Sequence, residues 1–128
     1  MSLTTKQTLG EQAIEFRRVF KRPNVQNANG RTMQRTLIVE EFKEFLDAET
    51  LVGNHPGLRA ECLKELADLV YVCFQYAANM RWDLDEALDR VHKSNLSKLD
   101  DNGNAILRSD GKVVKSKNYK PPYLDDLV

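Results

Sequence analysis

Four carboxylates stand where two amphipathic helices should place apolar residues. In LIVEEFKEFLDAETL, Glu41 and Glu44 share one helix face, and in LRAECLKELADLVYV, Glu65 and Asp68 share another, because residues three apart lie on the same side of a helix. The turn signal Gly53, Asn54, His55, Pro56, Gly57 separates the two runs. Glu44 and Glu65 lie at equal distances from its centre, as do Glu41 and Asp68. At about 1.5 Å of rise per residue the pairs therefore sit at matching heights, roughly 16 Å and 20 Å from the turn. An antiparallel hairpin would bring all four together.

Converging carboxylates cannot all stay ionised without compensation, since burial penalises each charge and like neighbours raise one another's pKa. A cation must sit among them. Oxygen-only ligands suit Mg²⁺, with Mn²⁺ as a substitute, and Mg²⁺ commonly draws its remaining oxygens from water and from a substrate's phosphates. Taken singly, EExxE and ExxD are common on solvated helix faces; their mirrored pairing is what points to a metal. A di-iron or di-manganese site of the same architecture would want two Glu-x-x-His pairs. The two histidines, His55 and His92, do not follow a glutamate at that spacing, so His55 reads as a turn residue and His92 as a helix-surface or partly packed one. Glu40, one residue and about 100° off the ligand row, is a candidate for supporting the ligands or reaching a metal from the side.

Four helices are predicted to position these groups, over about 8–20, 31–51, 58–80 and 84–98. Leu9, Ala13, Phe16, Val19 and Phe20 recur at helical spacing in the first, which Pro23 should end. PNVQNANG reads as a loop ending at Gly30. The third helix is apolar over much of its circumference and is expected to be central. In the fourth, capped at Asp83, the row Leu84, Leu88, Val91 gives way to Asn95 and Lys98, so its last turns should face something polar, with the acid cluster or its ligand as the candidate. Phe16 and Phe20 could stack a base, although aromatic pairs at this spacing more often pack in a core. Residues 99–128 change character: AILR and KVVK flank a turn at Ser109, Asp110 and Gly111, predicting a β-hairpin followed by an extended tail through Pro121 and Pro122. The expected fold is all-α, an antiparallel four-helix bundle with a short C-terminal β-hairpin and extended tail, forming one domain over 1–128 with residues 1–5 frayed.

Whole-chain properties restrict the function. With 19 basic and 19 acidic residues the chain is formally neutral, which disfavours polymeric nucleic acid or a membrane surface as partner. No apolar run reaches membrane-spanning length and no secretory signal is visible, so a cytoplasmic location is expected. Cys62 and Cys73 fall on one predicted helix roughly 16 Å apart, too far for a disulfide, and read as reduced core thiols.

The EExxE of Glu40, Glu41 and Glu44, the ExxD of Glu65 and Asp68 within KELADLVYV, and the segments VHKSNLSKLDDNG and RSDGKVVKSKNY together resemble the all-α nucleoside triphosphate pyrophosphohydrolases. That superfamily includes MazG-like enzymes, dimeric all-α dUTPases and phosphoribosyl-ATP pyrophosphohydrolase. The resemblance implies hydrolysis of a nucleoside triphosphate to the monophosphate and pyrophosphate, with phosphoribosyl-ATP as an alternative substrate. It implies Mg²⁺ held by Glu41, Glu44, Glu65 and Asp68, with Glu41 or Glu44 orienting the attacking water or taking its proton. Asn95 and Lys98 would contact phosphate or sugar, and Lys112 and Lys115, within the resembling DGKVVK, would be further phosphate contacts. A homodimer or homotetramer with sites completed across the interface is also implied. A helical metal- or nucleotide-binding module without turnover is the alternative of a different class.

Overall fold

The computed structural model describes residues 6–128; the predicted fraying of residues 1–5 lies outside the described residues. The chain is mainly helical and divides into two compact units, the first running to Asp83 and the second from Leu84 to Val128.

In the first unit, α1 (Leu9–Val19) opens with a reciprocal cap: Thr8 Oγ1 accepts from the Glu11 N–H at 3.1 Å, and the Thr8 N–H donates to Glu11 Oε1 at 2.9 Å. The helix is already finished at Val19, before Pro23, and Lys21 turns the chain with a left-handed φ of 54°. The next helix, α2 (Ala28–Val52), begins inside the expected loop, with Asn27 Oδ1 accepting from the Gly30 N–H at 3.0 Å. Gly30 is required there, since a Cβ would lie 1.9 Å from the Val25 carbonyl oxygen. A short turn and the 3₁₀ segment Pro56–Leu58 lead into α3 (Arg59–Met80), which ends at Arg81 in a left-handed cap.

Within the first unit, α3 packs against both α1 and α2. Among the described residues of the unit, the buried apolar side chains are Ala13 on α1 and Phe74 and Ala77 on α3. The rings of Phe16 and Tyr71 of α3 meet in a T-shaped pair at 5.7 Å between centroids, while Phe20 remains 59% exposed. A polar clip completes the unit. Buried Asn79 receives the Val25 N–H at 2.7 Å and donates to the Val25 carbonyl at 2.8 Å, fixing the α1–α2 loop to the end of α3.

The second unit begins with α4 (Leu84–Leu96), two residues shorter than predicted. Its last turn tightens, with the Lys98 N–H donating to the Asn95 carbonyl and Ser97 Oγ to the Ser94 carbonyl, so Lys98 follows the helix rather than extending its row. The predicted hairpin is present as β1 (Ile106–Leu107) and β2 (Val113–Val114), antiparallel, with Ile106 opposite Val114 and Gly111 at φ 89° in the turn. The tail is extended until a final 3₁₀ turn at Asp125–Leu127, which the sequence did not suggest. Arg90 of α4 straps it down through Asp126, at 2.6 and 3.0 Å, and the Tyr123 carbonyl at 2.9 Å. Ser94 Oγ adds a bond to the Lys120 carbonyl at 2.7 Å.

Candidate metal centre

The α2–α3 pairing brings together three of the four predicted acids. Glu41 and Glu44 project from α2 and Glu65 from α3, and one carboxylate oxygen from each lies within 4.8 Å of the others. The mirrored pair Glu44 and Glu65 therefore meets, with Glu41 beside it, while Asp68, the mirror partner of Glu41, is not in the trio. Glu65 is buried, Glu41 is half-buried and Glu44 is open to solvent. Oε2 of Glu41 and Oε2 of Glu65 are buried without a hydrogen-bond partner. Buried anionic oxygens that face one another and lack donors are poorly accommodated by the protein alone, and a hard divalent cation would satisfy them. The residues present therefore fit such an ion. The Glu41 charge, helped by burial and by close carboxyl contact with Glu65 and Glu41, holds the Glu44 carboxyl above its ordinary value of 4.5.

Asp68 stands apart from the trio. Lys64 pairs with it at 2.9 Å across one helical turn and reaches Glu65 Oε1 at 3.5 Å, which raises the pKa of the lysine, chiefly through Asp68. Glu40 is exposed. Two acids outside the predicted set, Asp47 and Glu61, line a cleft of about 260 Å³ with Glu44, Glu65 and the apolar Ala48, Leu51 and Leu58. The signal for them was in the spacing: Asp47 continues the row of Glu41 and Glu44 at three residues, and Glu61 precedes Glu65 by four.

The other predicted contacts lie in the second unit. Asn95 is exposed near the end of α4 and Lys98 is half-buried just beyond it. Lys112 is exposed beside the hairpin turn, its N–H donating to Asp110 Oδ1 at 3.1 Å, and Lys115 Nζ sits 4.5 Å over the Tyr119 ring. His55 and His92 are exposed, as expected for a turn and a helix surface. Cys62 and Cys73 are free, half-buried thiols, and burial pushes that of Cys73 up.

Comparison with protein families gives a match over residues 6–95 to the model described as PRA-PH, phosphoribosyl-ATP pyrophosphohydrolase. The chain belongs to this family. The phosphoribosyl-ATP pyrophosphohydrolase family falls within the MazG-like all-α nucleoside triphosphate pyrophosphohydrolase superfamily, in agreement with the motif resemblance. Membership implies a pyrophosphohydrolase. The matched residues contain the acid trio, Asp68 and Asn95; Lys98, Lys112 and Lys115 lie beyond them. No curated protein matches the chain. None of the described helices is long and apolar enough to cross a membrane.

Proposed function

We propose that the chain is a Mg²⁺-dependent nucleoside triphosphate pyrophosphohydrolase, converting a (d)NTP and water to the (d)NMP and pyrophosphate in cytoplasmic nucleotide-pool housekeeping. The observation that carries this reading is the acid trio with two buried carboxylate oxygens lacking partners. Glu41 and Glu65 supply the buried ligand oxygens, and Asp68 joins them on exchanging Lys64 for the ion. Glu44, the most open of the three, orients the water and accepts its proton. When bound, Mg²⁺ supplies charge neutralisation for the triphosphate and the departing pyrophosphate, and Mn²⁺ can take its place. Glu40 supports the ligand row from the side. Asn95, Lys98, Lys112 and Lys115 are assigned to substrate phosphate or sugar on the motif resemblance.

The family match runs past the boundary between the two compact units, which supports reading them as one functional domain of the antiparallel four-helix type. Exposure of Phe42, Leu46, Leu63 and Leu66 on α2 and α3 supports a homodimer or homotetramer. The family match also favours a second reading, in which the substrate is phosphoribosyl-ATP. Both substrates lose pyrophosphate by the same chemistry.

One panel separates them. The protein is incubated with Mg²⁺ and dNTPs, NTPs or phosphoribosyl-ATP, and released pyrophosphate is distinguished from orthophosphate. Pyrophosphate from dNTPs or NTPs is expected; turnover confined to phosphoribosyl-ATP would replace the first reading with the second. No turnover on any member would leave a binding module. Full Mg²⁺-dependent turnover by Glu65→Gln would overturn the assigned site.

A further inference from the structure

A second concavity in the first unit has the opposite charge to the acid trio. Arg17, Arg18 and Arg22 line a cavity of about 300 Å³, with Ile14, Asn24 and Ala78 among its other walls. Arg17 is only 6% exposed. Its Nε donates to Asn24 Oδ1 at 2.9 Å, its Nη2 to the Pro23 carbonyl at 2.8 Å and Asn79 Oδ1 at 3.0 Å, and its Nη1 makes one long contact with Gln75 Oε1 at 3.5 Å. All four acceptors are neutral. They satisfy most of the geometry of the guanidinium and none of its charge. Among the described residues no carboxylate lies within ion-pair distance of Arg17, Arg18 or Arg22.

A buried cation without a counterion is costly, and like charges beside it add to that cost. Burial first, and the charge of Arg22 second, hold Arg17 below the usual guanidinium value. Guanidinium forks match tetrahedral oxyanions, offering paired N–H donors in a plane. Nη1 retains donor capacity beyond its one long contact, while Arg18 and Arg22 are exposed at the cavity wall, with Arg22 Nε donating to the Phe20 carbonyl at 3.1 Å. From Glu65 to Ala78 along α3 is roughly 20 Å at 1.5 Å per residue, so the cavity is distinct from the metal centre of the same chain.

We propose that Arg17, Arg18 and Arg22 form a binding site for a phosphate-class anion, separate from the metal centre within the subunit. Its occupant is free phosphate or pyrophosphate, or the phosphate of a nucleotide. Because Arg17 already holds the loop before α2, the anion also fastens that loop.

The test is calorimetric titration of the metal-free full chain with inorganic phosphate, pyrophosphate and AMP, at ionic strength matched with chloride. R18Q/R22Q is compared with the parent and with E65Q, leaving Arg17 in place because it anchors the loop. Parent and E65Q are expected to bind with the same affinity, and R18Q/R22Q at least about tenfold more weakly. Tighter binding of phosphate or pyrophosphate than of AMP identifies a free inorganic anion; the reverse order identifies a nucleotide phosphate. Undiminished binding by R18Q/R22Q, equal loss in E65Q, or no binding of any of the three anions by the parent overturns the proposal. Should R18Q/R22Q lose the parental circular dichroism spectrum, R22Q alone is held to the same criteria.

Discussion

A carboxylate oxygen buried without a donor, as Oε2 of Glu65 is, has lost its hydration and gained nothing in return. Glutamine has nearly the same shape and would offer its amide N–H to Glu41 or Glu44. In the absence of metal, Glu65→Gln is therefore expected to raise unfolding stability by about 1 kcal/mol in a urea titration. Adding Mg²⁺ should raise the Tm of the parent and leave that of the variant nearly unchanged. Glu44 makes the pH dependence specific. Its carboxyl is held above 4.5, first by the charge of Glu41, so its contribution to metal-free stability is complete below about pH 4.5 and is lost as pH rises through the raised value. Cation binding needs the ionised form and runs the other way. The Mg²⁺-induced rise in Tm should grow from about pH 4.5 towards neutrality, and Glu44→Gln should flatten the acid limb; a Mg²⁺ effect independent of pH would contradict the assignment.

Helix boundaries show where periodicity stops being informative. The runs of α1 and α3 were legible because their apolar rows are continuous, and the meeting of Glu41, Glu44 and Glu65 followed from spacing alone. The start of α2 was not legible, since Asn24, Asn27 and Asn29 are all credible caps. The choice depends on Gly30 passing close to the Val25 backbone, a contact that apolar periodicity does not register. Gly30→Ala should cost about 1–3 kcal/mol by overpacking, read as a lower urea midpoint. The early end of α4 has a similar origin, because Ser94 and Ser97 turn their hydroxyls to the Lys120 carbonyl and the Ser94 carbonyl. Asp68 lies outside the trio because Lys64, one helical turn before it, holds it in a local ion pair. The tail strap offers a further test. Arg90 holds the Asp126 carboxyl below its ordinary value of 3.8, so the strap is intact above that pH and weakens as pH falls through the lowered value. Asp126→Asn should speed amide hydrogen exchange over residues 120–128 at neutral pH, with little change in the first unit.

At the scale of the molecule, the three buried apolar side chains among the described residues, Ala13, Phe74 and Ala77, contrast with open ones such as Leu63 at 66%, Ile14 at 62% and Met33 at 58%. Sequence periodicity identifies apolar faces but cannot say which are covered within one chain. An isolated copy with this surface is expected to associate. Light scattering after size exclusion should give a mass at least twice 14.7 kDa, and Tm should fall on dilution as the assembly dissociates. A concentration-independent Tm together with a monomer mass would contradict this.

The two orphaned oxygens also bear on how the chain would change under altered selection. A lineage screened for heat resistance alone, with no demand for turnover, should lose Glu65 and Glu41 early, because neutral or apolar replacements there relieve the trio at once. Retention of both acids through such a screen would reveal a role for them in assembly that is independent of the ion.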